Sequence, residues 1–304
     1  MQQTVPLGAT DITLRPLGVG AMPWNKNTVQ GARAAFEASL EAGITLFDTA
    51  EVYGRGLSEK ILGRLVRRTE QPIIVASKFA PLPNRLRAGS LASALTGSLR
   101  RLGLERVDLY QIHWPYTTLR IEALMDALAD EVEAGRVRAV GVSNYSESQM
   151  RRAHAALASR GIPLASNQVQ YSLLHRAPER NGVLNACREL RVSLIAYTPI
   201  GSGLLTGKYR PGGLRPSGYR RFSKHFRHLV ELEPLIDELE NIGATHGRTA
   251  GQVALNWLAR QEGVIPIPGA KDAAQAAGNA GALDFDISEA EAERLGDVSA
   301  DLGS

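Results

Sequence analysis

Cysteine is almost absent from this sequence, since Cys187 is the only one among 304 residues. One thiol cannot form an internal disulfide, which excludes a small secreted domain held together by disulfides and favours a reducing compartment. Runs of about 20 apolar residues, which a membrane-spanning helix needs, are also missing. The first residues lack the basic and then apolar profile of a signal peptide. We therefore expect a cytoplasmic protein that does not enter a membrane.

A large excess of one charge sign is missing too. The chain has 35 Lys and Arg against 31 Asp and Glu, a formal net charge of +4. The basic residues are scattered except in residues 215–228, which argues against nucleic acid as a partner and mildly favours a small anionic ligand. Hydrophobic residues make up 44% of the chain and charged residues 22%. This composition is typical of a globular protein with a sizeable core.

Short β-branched apolar runs alternate with longer stretches rich in Ala, Leu, Glu and Arg, which predicts alternating strands and helices. Eight strands are predicted, at residues 17–21, 45–48, 73–77, 107–112, 137–142, 164–169, 192–197 and 264–267. Helices are predicted at residues 28–42, 58–68, 88–102, 119–134, 146–160, 178–190 and 231–261, the last broken near Gly247, with a further helix beginning near Lys271.

The ends of several predicted helices carry local signals. Three pairs of residues have the spacing of a capping box, namely Ser146 with Gln149, Thr249 with Gln252, and Ser288 with Glu291. Four glycines follow helical stretches, where a left-handed residue is most easily accommodated: Gly43, Gly103, Gly135 and Gly161.

Eight successive βα units predict an α/β protein with one (β/α)8 barrel, a TIM barrel, as a single domain over residues 1–304. A doubly wound open sheet is the structural alternative. It is disfavoured because Pro23 stands where the third glycine of a G-x-G-x-x-G motif would follow Gly18 and Gly20. Residues 4–16 include Gly-Ala-Thr-Asp at 8–11 between two short runs, and they predict a hairpin that caps the bottom of the barrel.

Polar residues follow the predicted strands at the end of the barrel where such folds carry their chemistry. They are Asp48, Lys78, His113, Ser143 with Asn144, Gln168 and Tyr197. Tyr53 lies five residues beyond Asp48, close enough to fold back over the barrel mouth.

An acid, a lysine, a histidine and a tyrosine at one mouth suggest proton transfer to a carbonyl oxygen. A tyrosine is a weak acid, with an ordinary pKa of about 10, and a nearby ammonium would lower that pKa. A carboxylate would keep the lysine charged, and a histidine could orient the substrate oxygen. Each residue alone is more often structural, for example as a helix cap or a core hydrogen bond. Their joint placement favours the catalytic interpretation.

Several segments around these polar residues have the form of known motifs. Residues 47–54 (FDTAEVYG), followed by Ser58 and Glu59, resemble the signature of the aldo-keto reductase family around its catalytic Asp and Tyr. Residues 76–78 (ASK) resemble its lysine segment, and residues 108–115 (DLYQIHWP) its histidine segment. Further similar segments are 141–145 (GVSNY), 196–200 (AYTPI) and 203–209 (GLLTGKY), so the resemblance runs from about residue 17 to 283. Residues 167–174 (NQVQYSLL) are most similar to the bacterial and plant branch with pyridoxal reductase-like proteins.

The resemblance implies an enzyme that uses NADPH to reduce a small aldehyde or ketone. Tyr53 would be the general acid, with Lys78 modulating its pKa, Asp48 pairing with Lys78, and His113 orienting the substrate. The implied nicotinamide contacts are Ser143, Asn144, Gln168 and Tyr197, and the implied pyrophosphate contacts are Ile200, Gly201, Ser202, Gly203 and Leu204. Further cofactor contacts are expected at Gly20, Ala21, Pro199 and Gly269.

Lys271, Gln275 and Asn279 are spaced by four residues, which predicts that they share one helix face. Lys271 would lie near the helix N-terminus, where backbone N–H groups favour phosphate, and this suits the 2′-phosphate of NADPH. A solvated amphipathic face is the alternative. The family often has an acidic adenine contact before the asparagine, and this chain departs from that pattern with Gly278.

The basic segment 215–228 has two interpretations. It is either a clamp across the pyrophosphate, through Arg220 or Arg221, or a solvated loop. Its two histidines, His225 and His228, have no third ligand at a sensible spacing, so no metal is expected.

Trp24 and Trp114 are expected to line the substrate pocket, with core packing as the alternative for both. Two other functions are considered. A nicotinamide-binding regulatory subunit similar to potassium-channel β subunits is disfavoured because no N-terminal segment precedes the barrel. A hydrolase with Asp48 and Glu51 as paired carboxylates is disfavoured because both lie on one loop. Pyridoxal, methylglyoxal and sugar aldehydes are all candidate substrates, and the sequence leaves the oligomeric state open.

Overall fold

The computed structural model describes residues 4–85, 87–214, 226, 229–300 and 302. Two short strands come first, β1 (Val5–Pro6) and β2 (Thr13–Leu14). Eight strands follow: β3 (Gly18–Gly20), β4 (Leu46–Asp48), β5 (Ile74–Phe79), β6 (Val107–Ile112), β7 (Val137–Ser143), β8 (Leu164–Gln170), β9 (Ser193–Tyr197) and β10 (Val264–Pro266). The helices are α1 (Val29–Glu41), α2 (Leu57–Val66), α3 (Ser90–Leu102), α4 (Ile121–Glu133), α5 (Glu147–Ala158), α6 (Ala177–Arg180), α7 (Val183–Glu189), α8 (Leu229–His246), α9 (Ala250–Ala259), α10 (Ala273–Ala280) and α11 (Glu289–Ser299).

Strands β3 to β10 pair side by side in chain order, and every pair is parallel. The ring is completed by an isolated bridge between Gly20 and Gly269, where the Gly20 N–H donates to the Pro268 carbonyl at 3.0 Å. Pro266 and Pro268 have no N–H to donate, so this seam cannot form a regular ladder. The (β/α)8 barrel is confirmed and the open sheet is excluded.

The barrel interior is apolar at the N-terminal ends of the strands. Leu46, Ile74 and Ile195 lie there among the buried residues of one core cluster. The predicted N-terminal hairpin is confirmed, because β1 and β2 pair antiparallel and their neighbours Leu7 and Ile12 join the same cluster. The hairpin therefore closes the bottom of the barrel. A second, larger cluster fills the space between the outer faces of the strands and the helices.

The local signals at helix ends are largely confirmed. Capping boxes are present at the starts of α5, α9 and α11. The four glycines expected after helices all have φ between 66° and 73°. The predicted helix at 178–190 is instead two helices, because Gly182 adopts φ 82° between α6 and α7. No helix in the described ranges is long and apolar enough to cross a membrane.

Candidate active site

Lys78 lies at the centre of a polar cluster in the barrel mouth. It shares the inner face of β5 with Ile74 and Ala76, because alternate residues of a strand point to the same side. The side chain is completely buried. Its Nζ lies 2.5 Å from Asp48 Oδ1 at the end of β4 and 2.9 Å from the Thr49 carbonyl oxygen. A desolvated ammonium is thus paired with a carboxylate, as the sequence predicts.

Tyr53 is brought back over this pair by a short 3₁₀ turn, Tyr53–Gly56, which follows β4. The turn is tight because Gly54, Arg55 and Gly56 all have positive φ. The turn places Tyr53 Oη 3.4 Å from Lys78 Nζ. The two predicted partners therefore lie within hydrogen-bonding distance.

Burial raises the pKa of the Tyr53 hydroxyl by more than the Lys78 charge lowers it, so the net pKa lies above the ordinary value. The expectation that Lys78 makes this phenol unusually acidic is therefore wrong for the structure described. Burial lowers the pKa of Lys78, but Asp48 and Tyr53 together raise it by more, and the net shift is upward. At neutral pH Tyr53 holds its proton and Lys78 its charge.

His113 faces Tyr53 from the end of β6, with ring centroids 5.7 Å apart. Burial, with a smaller contribution from the Lys78 charge, lowers the pKa of His113 to about 3, so the ring is neutral at neutral pH. Its Nδ1 is buried without a hydrogen-bond partner among the described residues. The ring stacks on Trp114 at 3.8 Å and 6°, which fixes its plane.

The second oxygen of Asp48 accepts hydrogen bonds from two amides, Gln168 Nε2 at 2.9 Å and Gln111 Nε2 at 3.4 Å. Sequence reasoning missed Gln111. Its signal was a polar residue inside a buried strand, and the strand register places it beside Lys78. Gln168 was expected to hold a nicotinamide, and here its amide nitrogen also fixes the carboxylate.

Ser143, Asn144 and Tyr197, which lie at or just after the ends of β7 and β9, are joined in one hydrogen-bond network. Ser143 Oγ donates to the Gln168 carbonyl at 2.8 Å, and Asn144 Nδ2 donates to Ser143 Oγ at 3.0 Å. Tyr197 Oη donates to Asn144 Oδ1 at 3.0 Å. Asn144 has φ 61°, a left-handed conformation that its short polar side chain tolerates.

The predicted pyrophosphate segment forms a second 3₁₀ turn, Gly201–Thr206, directly after Pro199 and Ile200. Gly201, Ser202 and Gly203 all have positive φ. Successive residues in such conformations can turn backbone N–H groups into an anion-binding concavity. Lys208 lies beside this turn, because a Cβ placed on Gly203 would be only 3.1 Å from its Nζ. Sequence reasoning missed this lysine. A cation therefore lies against this turn, while Leu204 is buried beneath it.

The predicted face of Lys271, Gln275 and Asn279 needs a correction. Helix α10 begins only at Ala273, because the Asp272 side chain accepts the Gln275 N–H at 2.8 Å and caps the helix. Lys271 therefore precedes the helix instead of sharing its face. Its backbone N–H donates to Gln275 Oε1 at 3.1 Å, which keeps the two residues adjacent and exposed.

Gly20 and Ala21 lie beside the seam of the barrel, close to Gly269 and Asp48. The Ala21 N–H donates to the Asp48 carbonyl at 2.8 Å. Trp24 is completely buried, and its Nε1 donates to the Ala270 carbonyl at 2.8 Å. It presents no surface to a substrate, so its expected place in the pocket is wrong and core packing is its role.

Glu51 does not pair with Asp48. Its Oε2 accepts from Arg85 Nη2 at 2.8 Å and its Oε1 accepts from the Ala80 N–H at 2.7 Å. The two carboxylates thus serve separate cations, which removes the paired-carboxylate hydrolase. Within the described ranges no group of three or more His, Cys, Asp or Glu could hold a metal ion. The proposed clamp residues Arg220 and Arg221, and the pair His225 and His228, lie outside the described residues.

Comparisons with known proteins agree with this site. The model of the aldo/keto reductase family matches residues 16–300. The chloroplastic pyridoxal reductase of Arabidopsis thaliana is 38% identical over 315 aligned residues, covering 96% of this chain and 85% of that protein. The glycerol dehydrogenase of Gluconobacter oxydans superposes with a TM-score of 0.88 at 28% identity, covering 98% of this chain and 95% of the other. An aldo-keto reductase of Klebsiella pneumoniae in complex with NADPH superposes with a TM-score of 0.80 at 25% identity, covering 100% and 97%.

The match over nearly the whole chain confirms the resemblance that the motifs indicate. We conclude that this chain is an oxidoreductase that belongs to the aldo/keto reductase family.

Proposed function

We propose that the protein reduces the carbonyl group of a small aldehyde or ketone to an alcohol, with NADPH as the cofactor. The observation that carries this proposal is the contact of 3.4 Å between Tyr53 Oη and Lys78 Nζ, with Asp48 bound to the same amine. A proton donor, a fixed charge and its counter-ion are thus assembled at one point of the mouth. The NADPH complex of the Klebsiella protein, which has the same fold, supports the choice of cofactor.

The residues around the mouth fit a phosphorylated dinucleotide. The turn Gly201–Thr206 with Lys208 beside it suits a pyrophosphate, and the exposed Lys271 suits a further phosphate near the seam. Asn144, held by Tyr197, is positioned to bind a carboxamide. NADPH, when bound, supplies a hydride to the carbonyl carbon.

Tyr53 donates its hydroxyl proton to the carbonyl oxygen as the carbon accepts the hydride, so that C=O becomes CH–OH. The phenolate left on Tyr53 is stabilised by the Lys78 ammonium and regains a proton from water. Asp48 keeps Lys78 charged although the lysine is desolvated. Tyr53 holds its proton before the reaction begins, and the Lys78 charge, which lowers the pKa of this phenol against the effect of burial, favours release of the proton to the substrate.

His113 would orient the substrate. As a neutral imidazole it carries one N–H, and with that proton on Nε2 it can donate a hydrogen bond to the same carbonyl oxygen. The orphaned Nδ1 then remains an unprotonated acceptor. Trp114, stacked on this ring, would border the substrate from one side.

The substrate itself stays within the class of small carbonyls. The similar protein of Arabidopsis is named a pyridoxal reductase, which makes pyridoxal the first compound to test, together with methylglyoxal and sugar aldehydes. A cytoplasmic location and a clamp formed by residues 215–228 stay predictions.

The test is a panel of these aldehydes and ketones, followed by the loss of NADPH absorbance, with NADPH binding measured separately by fluorescence. We expect NADPH binding and turnover of at least one carbonyl. Tight NADPH binding with no turnover across the panel would contradict the proposal and support a regulatory, nicotinamide-binding role. Absence of NADPH binding would reject both.

A further inference from the structure

A hollow of about 420 Å³ lies on the outside of the barrel, between α2 and α3 and away from the mouth. Every side chain that lines it is basic: Lys60, Arg64, Arg67, Arg100 and Arg101. The helices α2 and α3 follow β4 and β5, which carry Asp48 and Lys78, but the pocket lies on their outer surface and toward their C-terminal ends. The cofactor residues of the proposed reaction follow other strands, so this basic pocket is separate from the proposed cofactor site.

The local sequence explains how five cations meet. Lys60, Arg64 and Arg67 are spaced four and three residues apart, so they project from one side of α2 and its C-terminal end. Arg100 and Arg101 occupy the last turn of α3. The two helices can approach closely because position 63 is a glycine, where any side chain would collide with the Leu102 carbonyl.

Most cations of this pocket lack the acidic partners that other surface arginines have. Surface arginines such as Arg152 and Arg294 lie 2.8 Å from a glutamate oxygen. Among the described residues, Lys60, Arg64, Arg67 and Arg100 have no carboxylate at ion-pairing distance. The only acidic residue of α2 and α3 is Glu59, which is completely buried and bound to Arg101 at 2.5 Å.

The fold alone does not account for this arrangement. Cations are favoured near helix C-termini, which explains a preference for Arg64, Arg100 and Arg101. Lys60 lies near the start of α2, where a cation is disfavoured, and it stands one turn from Arg64, where like charges repel. The cluster therefore works against folding unless an anion neutralises it.

We propose that the basic pocket binds a small polyanion that carries two or more phosphate groups. Arginine presents a planar fork of donors that matches phosphate oxygens, and four of the five lining residues are arginines. No aromatic or aliphatic side chain lines the pocket, so the only surfaces on which a base could stack are the guanidinium planes that bind the phosphates. The phosphates of the ligand therefore supply most of its recognition.

The test is calorimetric titration with inorganic tripolyphosphate, using full-length protein saturated with NADP⁺ so that the cofactor site is filled. The pocket variant is Arg64→Gln/Arg100→Gln, which removes two exposed cations that have no acidic partner. Arg101 is left intact because its partner Glu59 also accepts from Ser77, next to Lys78. The matched control is Arg152→Gln/Arg294→Gln, which removes the same charge from side chains that are 55% and 53% exposed.

We expect wild type and the control to bind tripolyphosphate equally, and the pocket variant to bind about tenfold or more weakly. Its melting temperature should stay the same or rise, because repulsion between cations is relieved. ATP should bind no more tightly than tripolyphosphate, and a sugar bisphosphate should compete with it. Absence of binding to wild type, equal losses in both variants, or much tighter binding of ATP would overturn the proposal.

Discussion

The two ends of the barrel differ in what they bury. The bottom is closed by Leu7, Ile12 and Leu14 of the hairpin, which pack on the apolar starts of the strands. The mouth buries Lys78 and Asp48 in the same barrel interior. Among the described residues, five non-glycine residues have positive φ, and four of them lie in mouth loops: Arg55, Asn144, Thr198 and Ser202. The bottom is thus built for stability, while the mouth carries desolvated charge and strained backbone where the chemistry is expected.

The largest effect is expected from the Tyr53→Phe substitution at the mouth. Loss of the general acid should lower kcat for carbonyl reduction by about 100- to 10,000-fold, while the free energy of unfolding changes little. Tyr145→Phe is the matched control, because it also removes one tyrosine hydroxyl, and that hydroxyl is buried without a hydrogen-bond partner among the described residues. Similar rate losses in both variants would contradict the assignment.

Breaking the buried ion pair between Lys78 and Asp48 should lower the free energy of unfolding as well as the activity. The Lys78→Met variant leaves Asp48 without its counter-ion and should lose about 3–5 kcal/mol in the free energy of unfolding, measured in urea. Adding Asp48→Asn should restore much of that stability without restoring activity. If the double variant were less stable than the single one, the mouth would not be under electrostatic strain.

At the bottom the opposite result is expected. Leu7→Ala removes a completely buried side chain and should lower the free energy of unfolding by about 2–5 kcal/mol. Because Leu7 lies far from the mouth, kcat and KM measured well below the melting temperature should match wild type. A selective loss of kcat would show that the two ends are not independent.

A pH series sharpens the comparison through His113. The folded pKa of His113 is about 3, below its ordinary value of 6.5, so its burial stabilises the fold fully above pH 6.5. This contribution is lost as the pH falls from 6.5 toward 3, because only the unfolded chain binds the proton there. When the pH is lowered from 7 to 5, the free energy of unfolding of wild type should therefore fall by up to about 2 kcal/mol more than that of His113→Asn. Equal losses would mean that His113 is protonated in the fold.

The smallest effect concerns backbone strain at the two ends. Thr198 in the mouth and Arg191 at the bottom have φ of 54° and 53°. Replacing either by glycine should stabilise the fold by about 1 kcal/mol. Only Thr198→Gly should weaken NADPH binding, because Thr198 connects Tyr197 to the turn Gly201–Thr206, whose Gly201 N–H donates to the Thr198 carbonyl at 3.0 Å, and glycine constrains this connection less. Equal NADPH affinity in the two glycine variants would remove the link between strain and the cofactor.

Local signals in the sequence predict much of the frame. The capping box at Ser146 needs only residues within one turn, and the barrel follows from the rhythm of strands and helices. The break at Gly182 was missed because one glycine disfavours a helix by only about 1 kcal/mol and the helical pattern continues past it. The start of α10 was missed because the N-cap at Asp272 was not distinguished from Lys271.

Contacts between strands were harder to predict than the strand ends themselves. Lys78, Asp48 and Tyr53 could be placed at one mouth because each follows or closes a strand. The contact of Gln111 with Asp48 depends on register across the sheet, which no local pattern encodes. The pKa of Tyr53 was misjudged because burial is a property of the folded chain, and its effect exceeds that of the neighbouring ammonium.

The seam between Gly20 and Gly269 has a consequence for how the molecule moves. Two prolines deprive the last strand of donors, so the ring has one joint with few hydrogen bonds where its first and last strands can separate most easily. Lys271 and Gln275 follow that joint, and the turn after β9 lies one strand away. A cofactor that contacts both Lys271 and the turn after β9 would hold the two sides of this seam together, so cofactor binding would also stabilise the closed barrel.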